Sequence, residues 1–436
     1  MEAVHAARHR ETEAALNVIR QKVQSGALDM AWIERTLRDA SMRDVARLLE
    51  SFLNHELPVL LGEQPVKSGE HFHSHQTRKV STVLGPITLR RAYYRGPQGG
   101  RYPLDEALGL HDQYTPAVVQ LMCWAGAMDS SFELASETLA RFAGLTIPGR
   151  QVQRVVNAFG KQAASWMQNR QSTPLQAPIE VLNIQTDMTG IPARPEELID
   201  IKGKQPDGSA KTRQIKLGCV FTQSLDDHGN PQRDPFSSTY LAAFCDRTDF
   251  AALLWSEALK RGYATARKTV FIGDGAEWIW NLVSDRFGDA VQIVDFYHVC
   301  EHLHALCAVL EPDEQRALTL FRKWRKRLKN NGLPRILHDT SQRLASLGAT
   351  ARAEAEAQLP YFQNNAARMT YRTFRRKGYF IGSGAIEGAC RHIVAQRAKL
   401  SGMRWLCSGA ENVLSFRCLI KSNFFDDYCS KYSQAA

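Results

Sequence analysis

The stretch VFIGDGAEWIW, residues 270–280, decides how the second half of this chain is read. Val270, Phe271 and Ile272 form the short apolar run of a buried strand, and Trp278 and Ile279 lie in the helix that follows. Asp274 stands between them. Its spacing to Glu277, three residues on, is that of a capping box, in which both side chains satisfy free amides at a helix start. An acid at the carboxyl end of a strand is equally well placed to build a site, because open α/β sheets form their crevices there. On this stretch alone, helix cap and metal ligand are both open readings.

Working outward, the pattern alternates strands with helices. IEVLNIQTD (179–187) is a strand ending on a second acid, Asp187. IKLGCVF (215–221), STYLAAF (238–244) and VQIVDF (291–296) are further strands, and DFAALLWSEALKRG (249–262) is a helix. The segment is therefore a mixed α/β sheet. If the strands carrying Asp187 and Asp274 are neighbours, the two carboxylates lie within reach of one ion. Among the four acids between Gln315 and Trp405, Asp339, Glu354 and Glu356 sit in a polar helical stretch, whereas Glu387 stands at the head of a helix in GYFIGSGAIEGACRH (378–392). Three carboxylates with open positions suit Mg²⁺, which takes hard oxygen ligands and keeps room for water and phosphate oxygens.

The charge balance names a partner for such a site. The chain has 436 residues, enough for two or three domains, with 44% apolar residues and a formal net charge of +10. From Gln315 to Trp405 there are 19 Lys and Arg against 4 acids, a net of +15 that leaves the remainder at −5. FRKWRKRLK (321–329) and YRTFRRKGYF (371–380) interleave aromatic and basic residues, as a surface that meets phosphates and bases does. A solvated helix face is the alternative, but six cations in eight residues repel one another without a polyanion. Nucleic acid is the expected partner.

No apolar run approaches a membrane span, and the start MEAVHAARHRETEAALNVIRQKV is polar and mixed in charge, unlike a secretory signal. Cytoplasmic localisation is expected. Nine cysteines without a C-x-x-C pair fit reduced thiols better than a disulfide framework.

Residues 1–62 read as a helical N-terminal domain. Residues 63–110 contain a small β region, with RKVSTVLGPITLRRAYYRGPQGGRYP (78–103) as a hairpin or three-stranded sheet. His71, His73 and His75 have period two, but no fourth ligand is evident, and a polar edge is favoured over a metal site. In residues 111–170, Ser130 and Glu133 make a capping box, Gly144 breaks the first helix, and a second helix follows. Arg150, Gln153, Arg154 and Asn157 share its polar face, opposite Val152, Val155 and Phe159, so this is either a DNA-reading helix-turn-helix or an ordinary helix pair. QSTPLQAPIE (171–180) reads as a linker. Cys300, His304 and Cys307 share a helix face, but without a fourth ligand they read as core.

The segments IQTDMTGIP, FIGDGAEWIW, VDFYHVCEHL and GSGAIEG with AQRAKLSGMRWLCSGAENVLSFRCL closely resemble the transposases of bacterial insertion sequences of the ISKra-four type, within the Mutator-like DDE transposases. The resemblance runs from about residue 78 to residue 420. It implies an α/β ribonuclease H-like catalytic core in residues 179–298 and 379–436, with an all-α insertion at 299–378, preceded by the mostly helical and small β N-terminal domains. It implies that Asp187, Asp274 and Glu387 form the acidic triad, holding Mg²⁺ or Mn²⁺, two ions in all, and that Asp295 and His298 match the D-x-x-H signature after the second acid. Double-stranded DNA, both transposon ends and target, is the implied partner, met by Arg150, Gln153, Arg154, Asn157, Arg322, Lys323, Arg325, Lys326, Arg375, Arg376, Arg391, Arg397, Lys399 and Arg404. A homodimer or larger assembly follows from joining two ends, and association with the bacterial nucleoid from the substrate. Where relatives have a C-x-x-C knuckle, this chain has Gly96 and Gly99, so no zinc is expected.

Two other functions compete. A DNA-binding protein without chemistry explains the basic quarter and the helix pair but leaves three acids idle. Gly382, Gly384 and Gly388 approach the dinucleotide fingerprint, but Glu387 takes the slot of its third glycine and would face a pyrophosphate.

Overall fold

The computed structural model describes residues 9–61, 67–97, 99–172 and 178–434. The chain divides into two compact units, Met1–Ala158 with Asp426–Ala436, and Phe159–Phe425. The expected junction near residue 62 and the centre of the expected linker, residues 173–177, lie outside the described residues.

The first unit opens with the helices Arg10–Gln24 and Met30–Ser51. Buried Asp44 joins them by accepting from the Glu11 and Thr12 amides at 3.0 and 2.9 Å, so the second helix caps the first. Strands β1 (His71–Thr82), β2 (Gly85–Gly96) and β3 (Gly99–Arg101) form a three-stranded antiparallel sheet. A bulge between Phe72 and Ser74 leaves His73 outside the register, which breaks the period-two relation among the three histidines.

The helix Phe132–Ala143 is capped by Ser131, whose side chain accepts from Leu134 N, rather than by Ser130. Of the two adjacent serines, Ser131 has the extended backbone a cap needs, at φ −145° and ψ 165°. Gly144 ends this helix in the left-handed region at φ 67°. Glu133 does not close the expected box: its carboxylate lies against Gly149, where a Cβ would meet it at 2.7 Å, at the amino end of the helix Gly149–Asn169.

The second unit is a mixed α/β structure. Strands β4 (Val181–Pro192), β5 (Thr212–Leu225), β6 (Pro231–Arg233), β7 (Thr239–Ala243), β8 (Lys268–Gly273) and β9 (Val291–Val294) form one six-stranded sheet. The order is β6-β5-β4-β8-β9, with β7 also pairing β5. β4, β8 and β9 run parallel, and β5 is antiparallel to β4.

Period-two alternation assigns the two faces. Leu182 and Ile184 enter a core shared with the helices Arg247–Lys260, Glu277–Arg286 and Phe296–Leu310. On the other face Ile191, Leu217 and Phe221 pack with Ile386, Ile393, Val394 and Leu414 from the last part of the unit. Asn183, Gln185 and Asp187 alternate with the first set and so fall on this second face, under the helix Gly384–Ala389.

From Phe296 to Arg376 the chain is helical, with Trp324, Leu328, Ile336 and Phe362 buried. Among the described residues no helix is long and apolar enough to cross a membrane.

Candidate acidic site at the sheet edge

The parallel register brings the first two acids together. Val181 pairs with Lys268, and the match continues to Gln185 and Ile272; two residues further along the same register, Asp187 is level with Asp274. Asp187 is not at the end of its strand, as expected, but in mid-strand. β4 continues to Pro192 on its pairing with β5, and it is β8 that stops. Asp187 therefore stands on rigid backbone at the notch where its neighbour leaves the sheet.

Asp274 does not cap the helix that follows. Ala276 holds the N-cap position without a side-chain bond, and the Asp274 carboxylate accepts from Ala276 N at 2.8 Å in a tight local turn. The cause is Gly275, whose φ of +97° turns the chain before the helix can begin.

Asp187 is half-buried. Its Oδ1 accepts from Met188 N at 2.7 Å, and Oδ2 accepts from the Cys390 thiol at 3.4 Å. Burial raises its carboxyl above the ordinary aspartate range and the Asp274 charge adds to this, while the Met188 and Cys390 bonds and His298 oppose it. Burial, reinforced by Asp187, pushes the Cys390 thiol up to about 12, so it stays a neutral donor at pH 7.

Glu387 is exposed on the helix Gly384–Ala389, one turn before Cys390, and its Oε1 accepts from the Ser383 hydroxyl at 2.9 Å. Gln185 docks this helix to β4 by accepting from Ile386 N at 3.0 Å. The third acid thus shares a face with Asp187 but is held by Ser383. Among the described residues no three His, Cys, Asp or Glu side chains are gathered to hold one metal ion.

Asp295 is fully buried and its carboxylate is committed: Oδ1 accepts from His298 N at 2.7 Å at the head of the helix Phe296–Leu310, and Oδ2 accepts from Ser383 N. It ties the segment before Glu387 to the end of β9. His298, half-buried, lies 3.4 Å from Glu301 and close enough to Asp187 to bear on its ionisation.

The sequence reading missed Gln185, Ser383 and Cys390, and also Tyr361, whose hydroxyl donates to the Asp274 carbonyl at 2.9 Å. Polar residues beside known acids are a usable signal for the first three. Nothing in the spacing pointed to Tyr361, which comes from 87 residues away.

Arg322, Lys323, Arg325, Lys326, Arg375, Arg376, Arg391, Lys399 and Arg404 are all exposed. Lys399 donates to the Thr189 hydroxyl, two residues beyond Asp187 on β4. Arg397 departs from the expectation of a DNA-facing cation. It is 1% exposed, with its guanidinium 5.1 Å from the Trp405 ring centroid, and serves the packing of the fold. Arg150, Gln153, Arg154 and Asn157 are exposed opposite buried Val152, Val155 and Val156, and Arg154 pairs with Asp112. The glycine run at 382–388 follows no strand, which removes the structural context of a dinucleotide fingerprint.

Residues 27–200 match the uncharacterised protein family UPF0236. No curated protein matches the chain. A solved structure described as the Drosophila P element transposase strand transfer complex aligns with 72% of this chain and 81% of that chain, at 10% identity and a TM-score of 0.27. A likeness that slight leaves the reading of the site to its own geometry.

Proposed function

We propose that this protein is a DDE transposase that cleaves and joins DNA with divalent metal ions. The observation that carries the reading is that Asp187 stands on β4 where β8 ends, at the level the β4–β8 register, continued two residues, gives Asp274, and that it is half-buried with its carboxyl raised by burial and by the Asp274 charge. Two carboxylates held this close are a cost unless a cation joins them, which marks a site rather than a scaffold.

The strand order supports a ribonuclease H-like core. Three strands, β4, β5 and β7, are joined antiparallel, and β8 and β9 add in parallel on the other side of β4. The helical run from 296 to 376, falling between the second and third acids, supports the all-α insertion.

Hard oxygen donors and neutral Cys390 fit Mg²⁺ or Mn²⁺ better than a thiophilic metal. Asp187 and Asp274 would hold the ion, with Glu387 joining once released from Ser383. Such an ion supplies Lewis acidity at a phosphate oxygen and makes a nucleophile of a water or sugar hydroxyl. The chain's own part is to fix the carboxylates: β4 holds Asp187, Gln185 and Asp295 set the Glu387 segment, and Lys399 places a cation beside the site for a DNA phosphate.

Incubating the protein with labelled DNA carrying the element's ends, with Mg²⁺, Mn²⁺ or EDTA, tests this directly. Metal-dependent nicking or strand transfer is expected; tight binding without either, under all three conditions, favours the catalytically silent binder. That second reading draws on the bond that commits the Glu387 carboxylate to Ser383.

The exposed face of the helix Gly149–Asn169 supports a reading of transposon ends by a helix-turn-helix. A good bidentate base contact discriminates by roughly 1 to 3 kcal/mol. Replacing Arg150 and Arg154 with alanine is therefore expected to lower the ratio of end binding to random-DNA binding by about one to two orders of magnitude. The thermal midpoint should hardly move, because the Arg154 and Asp112 side chains are 57% and 44% exposed. An unchanged ratio places recognition elsewhere in the chain.

A further inference from the structure

We propose that Tyr361 is a positioning residue of the acidic site, fixing the backbone that carries Asp274. The inference rests on the metal-dependent reading of that site.

Asp187 is immobilised by a strand paired over twelve residues with β5. Asp274 has no such support. It follows the last residue of β8 and precedes a glycine at φ +97°, and the next helix starts only at Glu277. Its carbonyl oxygen has left the ladder without entering a helix. Tyr361, from the helix Ala349–Asn364, supplies the missing partner by donating its hydroxyl to that oxygen at 2.9 Å.

The ring is as constrained as the hydroxyl. It stacks on His302, with centroids 3.8 Å apart and planes at 21°, and His302 in turn lies 3.5 Å from Gln358 on the tyrosine's own helix. The opposite contact is Gly275, where a Cβ would meet the ring at 2.7 Å. The glycine is thus required twice, for its φ and for the approach of the tyrosine. Two helices of the 296–376 segment grip the turn through one side chain, and that turn carries Asp274, whose charge bears on Asp187. Groups that orient a ligand without touching the ion typically alter metal affinity or activity by 10- to 100-fold when removed.

Tyr361→Phe deletes the hydroxyl and leaves the stack on His302 and the contact at Gly275. The full-length variant is expected to exchange backbone amides faster across residues 274–277. It should bind Mn²⁺ about tenfold more weakly by calorimetry, and to lose kcat for cleavage without loss of DNA affinity. Leu303→Ala, a core change in the same segment, controls for stability alone: at an equal loss in thermal midpoint it should leave Mn²⁺ affinity unchanged. Where the wild type binds Mn²⁺ and cleaves, unchanged Mn²⁺ affinity and kcat in Tyr361→Phe overturn the proposal, whatever the exchange data show, and so does an equal loss of affinity in Leu303→Ala. If the wild-type protein itself neither binds Mn²⁺ nor cleaves, the metal-dependent reading falls. Faster exchange at 274–277 in Tyr361→Phe then still supports the clamp on the turn.

Discussion

Asp187→Asn is expected to abolish DNA cleavage and strand transfer while raising, not lowering, the thermal midpoint at neutral pH. The loss in rate should be on the order of 10³-fold or more, since removing a single preorganised electrostatic group commonly costs 10²- to 10³-fold and groups acting as a unit cost more. The gain in stability follows from the sign of the pKa shift. Burial, with the Asp274 charge adding, raises the folded-state carboxyl. Its stabilising contribution is complete below the unfolded value, about 3.9, and is lost as pH rises through the folded value. Above that window the wild type keeps a charge the fold disfavours, and the amide removes it. The difference in midpoint between variant and wild type should therefore widen from pH 4 to pH 7.

Divalent metal should reverse the ranking, because an ion that binds only the folded wild type adds about 2.7 kcal/mol at 100 times its dissociation constant. Mn²⁺ should raise the midpoint of the wild type and leave Asp187→Asn unmoved. Asp274→Asn should also be inactive but near neutral in stability without metal, because the amide retains the oxygen that accepts from Ala276 N. Wild-type cleavage by either variant would remove that residue from the site. A lower midpoint for Asp187→Asn would make it a structural acid.

The sheet was legible because its strands are apolar runs bounded by turns, and β4, β5, β7, β8 and β9 fall where the alternation placed them. Their order was not, because nothing local states that Asp187 and Asp274 share a level; that follows from a parallel pairing across 87 residues. The cap at Asp274 misled for a local reason. Asp-x-x-Glu satisfies the spacing of a capping box, but the intervening Gly275 takes a positive φ, and the helix starts two residues late. Ser130 and Ser131 show the same limit: only Ser130 has the box spacing to Glu133, yet the extended backbone puts the cap at Ser131. Arg397 shows another: an arginine between Gln396 and Ala398 in a basic segment reads as surface, and its stacking over Trp405 is tertiary. Residues committed to the fold, as Asp295 is by its two amide bonds, have the same letter as residues free to meet a substrate.

Neutralising Arg322, Lys323, Arg325 and Lys326 together is expected to weaken binding to every DNA sequence, by up to about 10³-fold at 0.1 M salt. All four side chains are exposed on the helix Glu314–Lys329, whose other face buries Trp324 and Leu328, so their removal opens no core. Three acids of the same segment are paired with other arginines: Asp339 with Arg327 and Arg335, Glu311 with Arg343, and Glu356 with Arg352. The helix thus carries exposed positive charge, which on the proposed reading a DNA phosphate backbone would compensate. Each phosphate neutralised contributes about 0.9 to the slope of log affinity against log salt, so loss of four contacts flattens that slope by up to about 3.6. Anisotropy titrations at several salt concentrations, on random duplex and on duplex carrying the element's ends, measure both. The preference for the ends should survive, because phosphate contacts position a protein without reading sequence. If the preference collapses with affinity, this helix reads bases and the face carrying Arg150 and Arg154 does not; if the slope is unchanged, DNA does not lie along it.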